Sequence, residues 1–240
     1  MEILQFTLNG KTAFFKKPDV NEYAYFTFGN IHKVALLGIF GAILGYNGYN
    51  QMTKEQNYPE FYQRLKELKI AIVPSQTGYF MKKIHTFNNS VGYASREQGG
   101  NLIVRQQWLH DPKWEIYVLI DQEEAENLKD AMIHDQCCYV PYLGANDHYA
   151  DINHVVVIDD GIKAENITHV DSLCKKSDVN LNIESEEILF PTYKYEEFLP
   201  IGLDEFCNQY IMEPMIYTDF ALKTTSDLVY CVDNKNISFF

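Results

Sequence analysis

The sequence predicts an α+β fold: a ferredoxin-like core, of the type shared by RNA-recognition motifs, with a projecting β-hairpin and a C-terminal extension. Three observations predict it. Strand-like and helix-like stretches follow one another in the order β-α-β-β-α-β. A long insertion between the second and third of these strands carries a Gly99-Gly100 turn flanked by strand-like runs. From about Ile162 the chain becomes acidic, aromatic and less regular. The boundaries that follow are 1–160 for the core, with the hairpin inserted at about 78–108, and 161–240 for an extension packed on it.

The elements are justified in order. "EILQFTLNGKTAFFK" alternates apolar and polar residues as a strand does, with an Asn9-Gly10 turn signal inside it. Residues 31–46 carry helical spacing, and Asn30 is a favourable N-cap. "ELKIAIVPS" ends in a second strand near Leu68–Val73, and "KWEIYVLI" (Lys113–Ile120) is a third. "DQEEAENLKDAMIH" predicts a helix over Asp121–His134, with Asp121 as N-cap and acids in the first turn, where the helix dipole favours them. "CCYVPYLG" and "INHVVVID" compete for the fourth strand.

Composition narrows the function. At 240 residues, 46% apolar and 22% charged, the chain is long enough for a sizeable core. No stretch reaches the roughly 18 apolar residues of a membrane span, and "MEILQFTLNGK" has no secretory pattern. Five cysteines, with no C-x-x-C pair, fit reduced thiols in a cytoplasm. The net charge of −13 argues against nucleic acid until its distribution is considered. Residues 1–118 hold 13 Lys+Arg against 9 Asp+Glu, whereas residues 119–240 hold 7 against 24. A mildly basic half can bind phosphates, because local potential matters more than total charge. The acidic half, with Glu184, Glu186 and Glu187 at its densest, fits either a solubilising surface or one turned away from nucleic acid.

The most apolar stretch, "FGNIHKVALLGIFGAILGYNGY" (Phe28–Tyr49), poses a problem. Ala35, Gly38, Ala42 and Gly45 fall on one helical face, which suggests close approach to the sheet. Yet the helix opens with His32 and Lys33, where a cation is unfavourable unless an anion arrives. A bound phosphate and an ordinary pairing, a solvated lysine beside a neutral histidine, fit equally. The glycine spacing is not that of a dinucleotide-binding turn, and no Gly-Lys-Ser/Thr marks a P-loop. Lys16 and Lys17 end the first strand before Pro18 and fit either a tracked backbone or edge lysines. In the insertion, Lys82, Lys83, His85, Arg96 and Arg105 alternate with Phe87 and Trp108, a pattern suited to single-stranded RNA. Cys137, Cys138, His148 and His154 lack zinc-site spacing, and no metal or cofactor is expected.

"FKKPDVN", "YFTFGNIHKVALLGIFGAILGYNGY", "GYASREQGGNLIVRQQWL" and "YVPYLGANDHYADI" resemble the family-five CRISPR-associated protein in its type I-B form. The matching blocks cover roughly 11–49, 78–118 and 139–152. The resemblance implies a fold of the RAMP type with a hairpin thumb. It implies a non-catalytic subunit of the Cascade surveillance complex that caps the 5′ handle of the crRNA in antiviral defence. The backbone and large subunits would be its protein partners. Target DNA would be met only indirectly, and no membrane or small-molecule substrate is expected. Carried onto this chain, the handle-binding candidates are Lys16, Lys17, Asn21, His32, Lys33, Lys82, Lys83, Arg96 and Arg105, with Tyr142, Gly144 and Asn146 in a segment resembling the family's glycine-containing loop. The alternative is a metal-independent endoribonuclease that processes crRNA, for which Tyr25, His32, Lys33 and His85 could supply acid, base and cation. A third reading, a plain protein-interaction scaffold, leaves the basic hairpin without a role.

Overall fold

The computed structural model describes residues 1–19, 23–159, 161–165, 167–181, 193–224 and 227–240. Its first strand, β1 (Ile3–Asn9), turns Leu4, Phe6 and Leu8 to one side and Ile3 to the other, as the two-residue period of a strand requires. A short β2 (Thr12–Ala13) follows, then helices α1 (Lys33–Leu44) and α2 (Glu60–Leu65) and strand β3 (Ile70–Pro74). Next come β4 (Lys82–Asn88), β5 (Ile103–His110), β6 (Lys113–Leu119), helix α3 (Glu123–Ile133) and β7 (Asp151–Ile158). The central sheet has the order β3-β6-β1-β7, with antiparallel neighbours throughout. β4 and β5 form the inserted hairpin, and β5 also pairs with β2 through Thr12↔His110 and Ala13↔Leu109.

One face of the sheet packs on the helices. Phe6, Phe40, Ile116, Leu128 and Trp114 are all at most 1% exposed there, and each such side chain contributes about 1.5–3 kcal/mol on burial. The opposite face is covered by the last two strands. β8 (Ile162–Lys163), β9 (Cys174–Lys175), β10 (Val179–Leu181), β11 (Lys194–Leu203), β12 (Tyr210–Thr218), β13 (Leu222–Thr224), β14 (Val229–Val232) and β15 (Lys235–Ser238) make up the C-terminal part. Val232, Ile237 and Phe239 seal Ile3, Ala71, Tyr117 and Leu119 from water. The β11–β12 hairpin adds Leu199, Leu203, Met215 and Tyr217 to the helical side of the core. The segment expected to be less regular is therefore strand-rich. Its strands are short or bulged and its acids lie among aromatics, which blurs the alternation. Glu184, Glu186 and Glu187 lie outside the described residues.

Local details correct three expectations. His32, not Asn30, caps α1: its Nδ1 accepts from the Ala35 N–H at 3.2 Å. Asn30 instead accepts from Trp114 Nε1 at 3.0 Å, a buried bond that locks the entry of the helix to the sheet. Asp121 does not cap α3; it pairs with Lys69, and Gln122 occupies the cap position without a side-chain bond. The small-residue face of α1 does not lie against the sheet. A Cβ at Gly38 would meet nothing within 4 Å, and Leu37 and Phe40 fill the core instead. The close approaches on this helix are made by Gly41 to α2, where a Cβ would stand 2.5 Å from Phe61 Cβ, and by Gly45 at the helix end, where a Cβ would stand 2.8 Å from Cys138 Sγ. Of the two candidates for the fourth strand, β7 is the one in the sheet. "CCYVPYLG" forms a loop with one isolated bridge, Tyr142↔Tyr149.

Candidate nucleic-acid interface

Pairing across the β4–β5 hairpin sorts its side chains onto two faces. Lys82↔Leu109, Ile84↔Gln107 and Thr86↔Arg105 share one face; Lys83↔Trp108, His85↔Gln106 and Phe87↔Val104 share the other. The extended stretch from Phe14 to Lys17 lies antiparallel to residues 25–28, through the isolated bridge Lys16↔Thr27, Lys17 N–H to Phe26 O at 2.8 Å and Phe28 N–H to Phe15 O at 2.8 Å. This returning segment lies along β5, where Tyr25 N–H bonds Arg105 O at 2.9 Å and Gln107 N–H bonds Tyr25 O at 2.8 Å.

The register brings cations and aromatic rings together. Lys16 Nζ stands 4.0 Å from the centre of the Tyr25 ring, and the Arg105 guanidinium 5.0 Å from that of Tyr23. Tyr23 and Tyr25 are exposed, so these pairs present both positive charge and a ring face to solvent. Lys82 lies at the foot of the same face. Burial lowers its ammonium pKa, Lys17 lowers it further and Glu197 opposes them.

Lys17 itself is not free. Its Nζ is 2.5 Å from Glu197 Oε1, and the same carboxylate accepts from Gly29 N–H at 2.7 Å and Tyr195 O–H at 2.5 Å. Burial works against the Glu197 charge, but these three donors outweigh it and hold the carboxyl below the usual range.

Beside Lys16 a cavity of about 270 Å³ opens over α1. Ala35, Gly38 and Ala42 line it together with His32, Tyr142, Gly144 and Tyr210. The loop bearing Tyr142 is held over Phe14 by Phe14 N–H to Leu143 O at 3.0 Å. Gly144 makes that crossing possible: its φ is +87°, and a Cβ would lie 2.1 Å from Phe14 O. His32 is 3% exposed, and burial lowers its pKa to about 3, so the ring is neutral.

The structure thus gathers Lys16, His32, Tyr142 and Gly144 at one cavity, with Lys82 and Arg105 on the adjoining hairpin face. The others stand apart. Lys33 points elsewhere: its Nζ donates to Phe240 O at 3.1 Å, and burial first, then Lys175, lower its pKa to about 8. The expected pair of cations at the start of α1 is therefore a neutral cap and a half-buried lysine. Lys83 lies on the opposite hairpin face from Arg105. Arg96 is exposed in the connecting segment, beyond the Asn88↔Ile103 end of the ladder, roughly 20 Å along the strands from Lys82. Asn146 is exposed at the loop tip. Asn21 lies outside the described residues. Tyr23, Tyr210 and Glu197 escaped the sequence reasoning. The alternation in "YAYF" signals the first; nothing in the acidic C-terminal half signals the others.

No protein-family model matches the chain, and no curated protein matches it. Solved structures do. A chain described as a CRISPR RNA-guided surveillance complex aligns with a TM-score of 0.55 and 16% identity over 94% of this chain and 92% of that one. A CRISPR protein from Archaeoglobus fulgidus aligns with a TM-score of 0.52 and 11% identity over 99% and 98%. The chain has the fold of these CRISPR-associated proteins, across nearly its whole length.

Proposed function

We propose that the chain is a non-catalytic RNA-binding subunit of a CRISPR surveillance complex, the family-five protein of a type I-B system, which holds the 5′ handle of the crRNA. The observation that carries the reading is the joint surface of the hairpin and the returning segment. It stacks Lys16 on Tyr25 and Arg105 on Tyr23 at the edge of a cavity, within a fold matched by a chain of a surveillance complex. The β-α-β-β-α-β order, with the central strands arranged second, third, first, fourth, supports the ferredoxin-like description, and β4–β5 is its thumb. RNA is not stacked on the sheet itself, as in recognition motifs that use their open face, because β14 and β15 cover that face. The backbone and large subunits are the proposed protein partners, and the acidic C-terminal part, apart from Glu197 and Tyr210 at the edge of the site, faces away from the RNA.

Absence of cleavage is supported by where the candidate catalytic groups stand. His32 is neutral at the cavity, Lys33 is turned to Phe240, and His85 lies on the opposite hairpin face, stacked on Trp108 at 4.2 Å. His32, Lys33 and His85 therefore do not converge on one 2′-OH, and His32, whose Nδ1 is occupied by the cap bond, offers no free ring nitrogen as a base.

The test is titration of repeat RNA at several salt concentrations in the absence of metal, with the RNA length read afterwards. Replacing Lys82 and Arg105 with alanine should weaken binding and reduce the log–log salt slope by roughly 1.4, at about 0.7 per phosphate on a single strand. An unchanged slope would show that this face does not meet phosphates, and a defined cut in the RNA would replace the binding subunit with a nuclease.

A further inference from the structure

We infer that the cavity over α1 is a pocket for a single unstacked nucleobase, read through a hydrogen-bond acceptor on its edge by the Nε2–H of His32. The inference rests on the RNA-binding reading above and adds what the cavity selects.

Three observations carry it. The first is the state of His32. Its Nδ1 accepts from a backbone N–H, so the ring proton sits on Nε2. Among the described residues no group accepts from that Nε2–H. The single fully buried side-chain polar atom without a partner there is Asn208 Oδ1, so Nε2 is not sealed off, and His32 is one of the residues that line the cavity. The rest of the ring is packed edge-on against Phe15, Phe28 and Tyr210, at 5.9, 5.3 and 5.4 Å between centres. A donor fixed this firmly on a 3%-exposed side chain, with no acceptor, is one that a ligand completes.

The second is shape. Ala35, Gly38 and Ala42 make a flat floor, Tyr142 supplies a half-exposed ring, and about 270 Å³ of space lies between them. That is just below the range of drug-sized ligand pockets, about 300 to 1,000 Å³, and suits one planar ring system. The third is what stands at the mouth. Lys16 lines the cavity and also carries the cation–ring pair with Tyr25, so a phosphate on Lys16 leaves its base beside the opening. Among the described residues no carboxylate lines the cavity. Being neutral, the His32 donor keeps its role across the physiological range, unlike an exposed histidine.

The experiment uses repeat RNAs in which each handle nucleotide in turn is made abasic, which keeps the phosphates and removes one base. With the wild-type chain, one position should lose roughly 10- to 100-fold in affinity, the effect of removing one stacked base. Replacing that base with each of the others should restore binding to different extents, ranked by the acceptor presented. Gly38→Leu projects a side chain into the open space and should weaken intact RNA while abolishing the extra penalty at that position. His32→Asn keeps a capping acceptor but shortens the donor, and should flatten the ranking of bases. If wild type binds the repeat tightly and salt-dependently but the abasic profile is flat, the pocket is overturned and the RNA-binding reading stands. The same holds if Gly38→Leu binds RNA with the wild-type profile. If wild type binds no RNA above an unrelated strand, both fall. The abasic panel needs no folded variant.

Discussion

Gly38 and Gly41 sit three residues apart on α1 and should respond oppositely to the same substitution. A glycine inside a helix costs about 0.5–1 kcal/mol relative to alanine, because the unfolded chain loses more freedom on folding. At Gly38 a Cβ meets nothing within 4 Å, so Gly38→Ala should realise that gain. At Gly41 the same Cβ stands 2.5 Å from Phe61 Cβ, an atom one bond from the backbone that no rotamer can move. Overpacking of this sort costs about 1–3 kcal/mol, so Gly41→Ala should be destabilising by up to about 2 kcal/mol after the helical gain is subtracted. In a domain of this size 1 kcal/mol moves the midpoint by about 2–4 °C. Gly38→Ala should therefore melt a few degrees above wild type and Gly41→Ala several degrees below it. Urea unfolding should order the three proteins the same way. Loss of more than about 1 kcal/mol at Gly38 would refute the reasoning, because it would mean that the small face of α1 is packed against another element.

Other perturbations test the site. His32 has its folded pKa lowered to about 3, below its unfolded value, so the unfolded chain binds the extra proton first as pH falls. Stability should be fully present above about pH 6.5 and decline below it by up to about 1.4 kcal/mol per pH unit; His32→Asn should flatten that decline in acid denaturation. His32→Ala, which also removes the cap, should cost a further 0.5–2 kcal/mol or so by urea unfolding. Glu197→Gln leaves a half-buried Lys17 without its charge partner and should cost about 1–3 kcal/mol, whereas Lys17→Ala should change melting more than RNA affinity. The hairpin should divide by face: Arg105→Ala should weaken RNA binding several-fold, and Lys83→Ala should be nearly silent in the same titration.

The core elements were legible because each obeys its period. β1, β3, β6 and β7 carry apolar alternation or continuous apolar runs, and α3 begins with Glu123, Glu124 and Glu126 as the dipole favours. The C-terminal strands were not legible, since the β11–β12 and β14–β15 hairpins set acids and lysines among aromatics and the other pairings are non-local: β9 joins β12 across more than thirty residues and β8 joins β14 across more than sixty. Sequence also misassigned the orientation of α1. Small residues on a helical face mark a place where something comes close, but they do not say what. At Gly41 it is Phe61, and at Gly38 it is open space.

The site was half legible for a related reason. Sequence shows which residues carry charge, and it cannot show which charges the fold consumes. Lys16, Lys17, Lys33, Lys82 and Arg105 look alike in a list of cations. The fold ties Lys17 to Glu197 and Lys33 to Phe240, and leaves Lys16 and Arg105 stacked on exposed tyrosines. Glu197 comes from β11, in the half of the chain with 24 acids and 7 bases. The acidic half thus does more than oppose the basic one at a distance. By holding Lys17 and Gly29 it fixes the strand end from which Lys16 and Tyr25 project. Net charge could stay at −13 while the binding surface stays positive, because Glu197, the carboxylate beside Lys17, is already satisfied by three donors and presents little free charge to a phosphate.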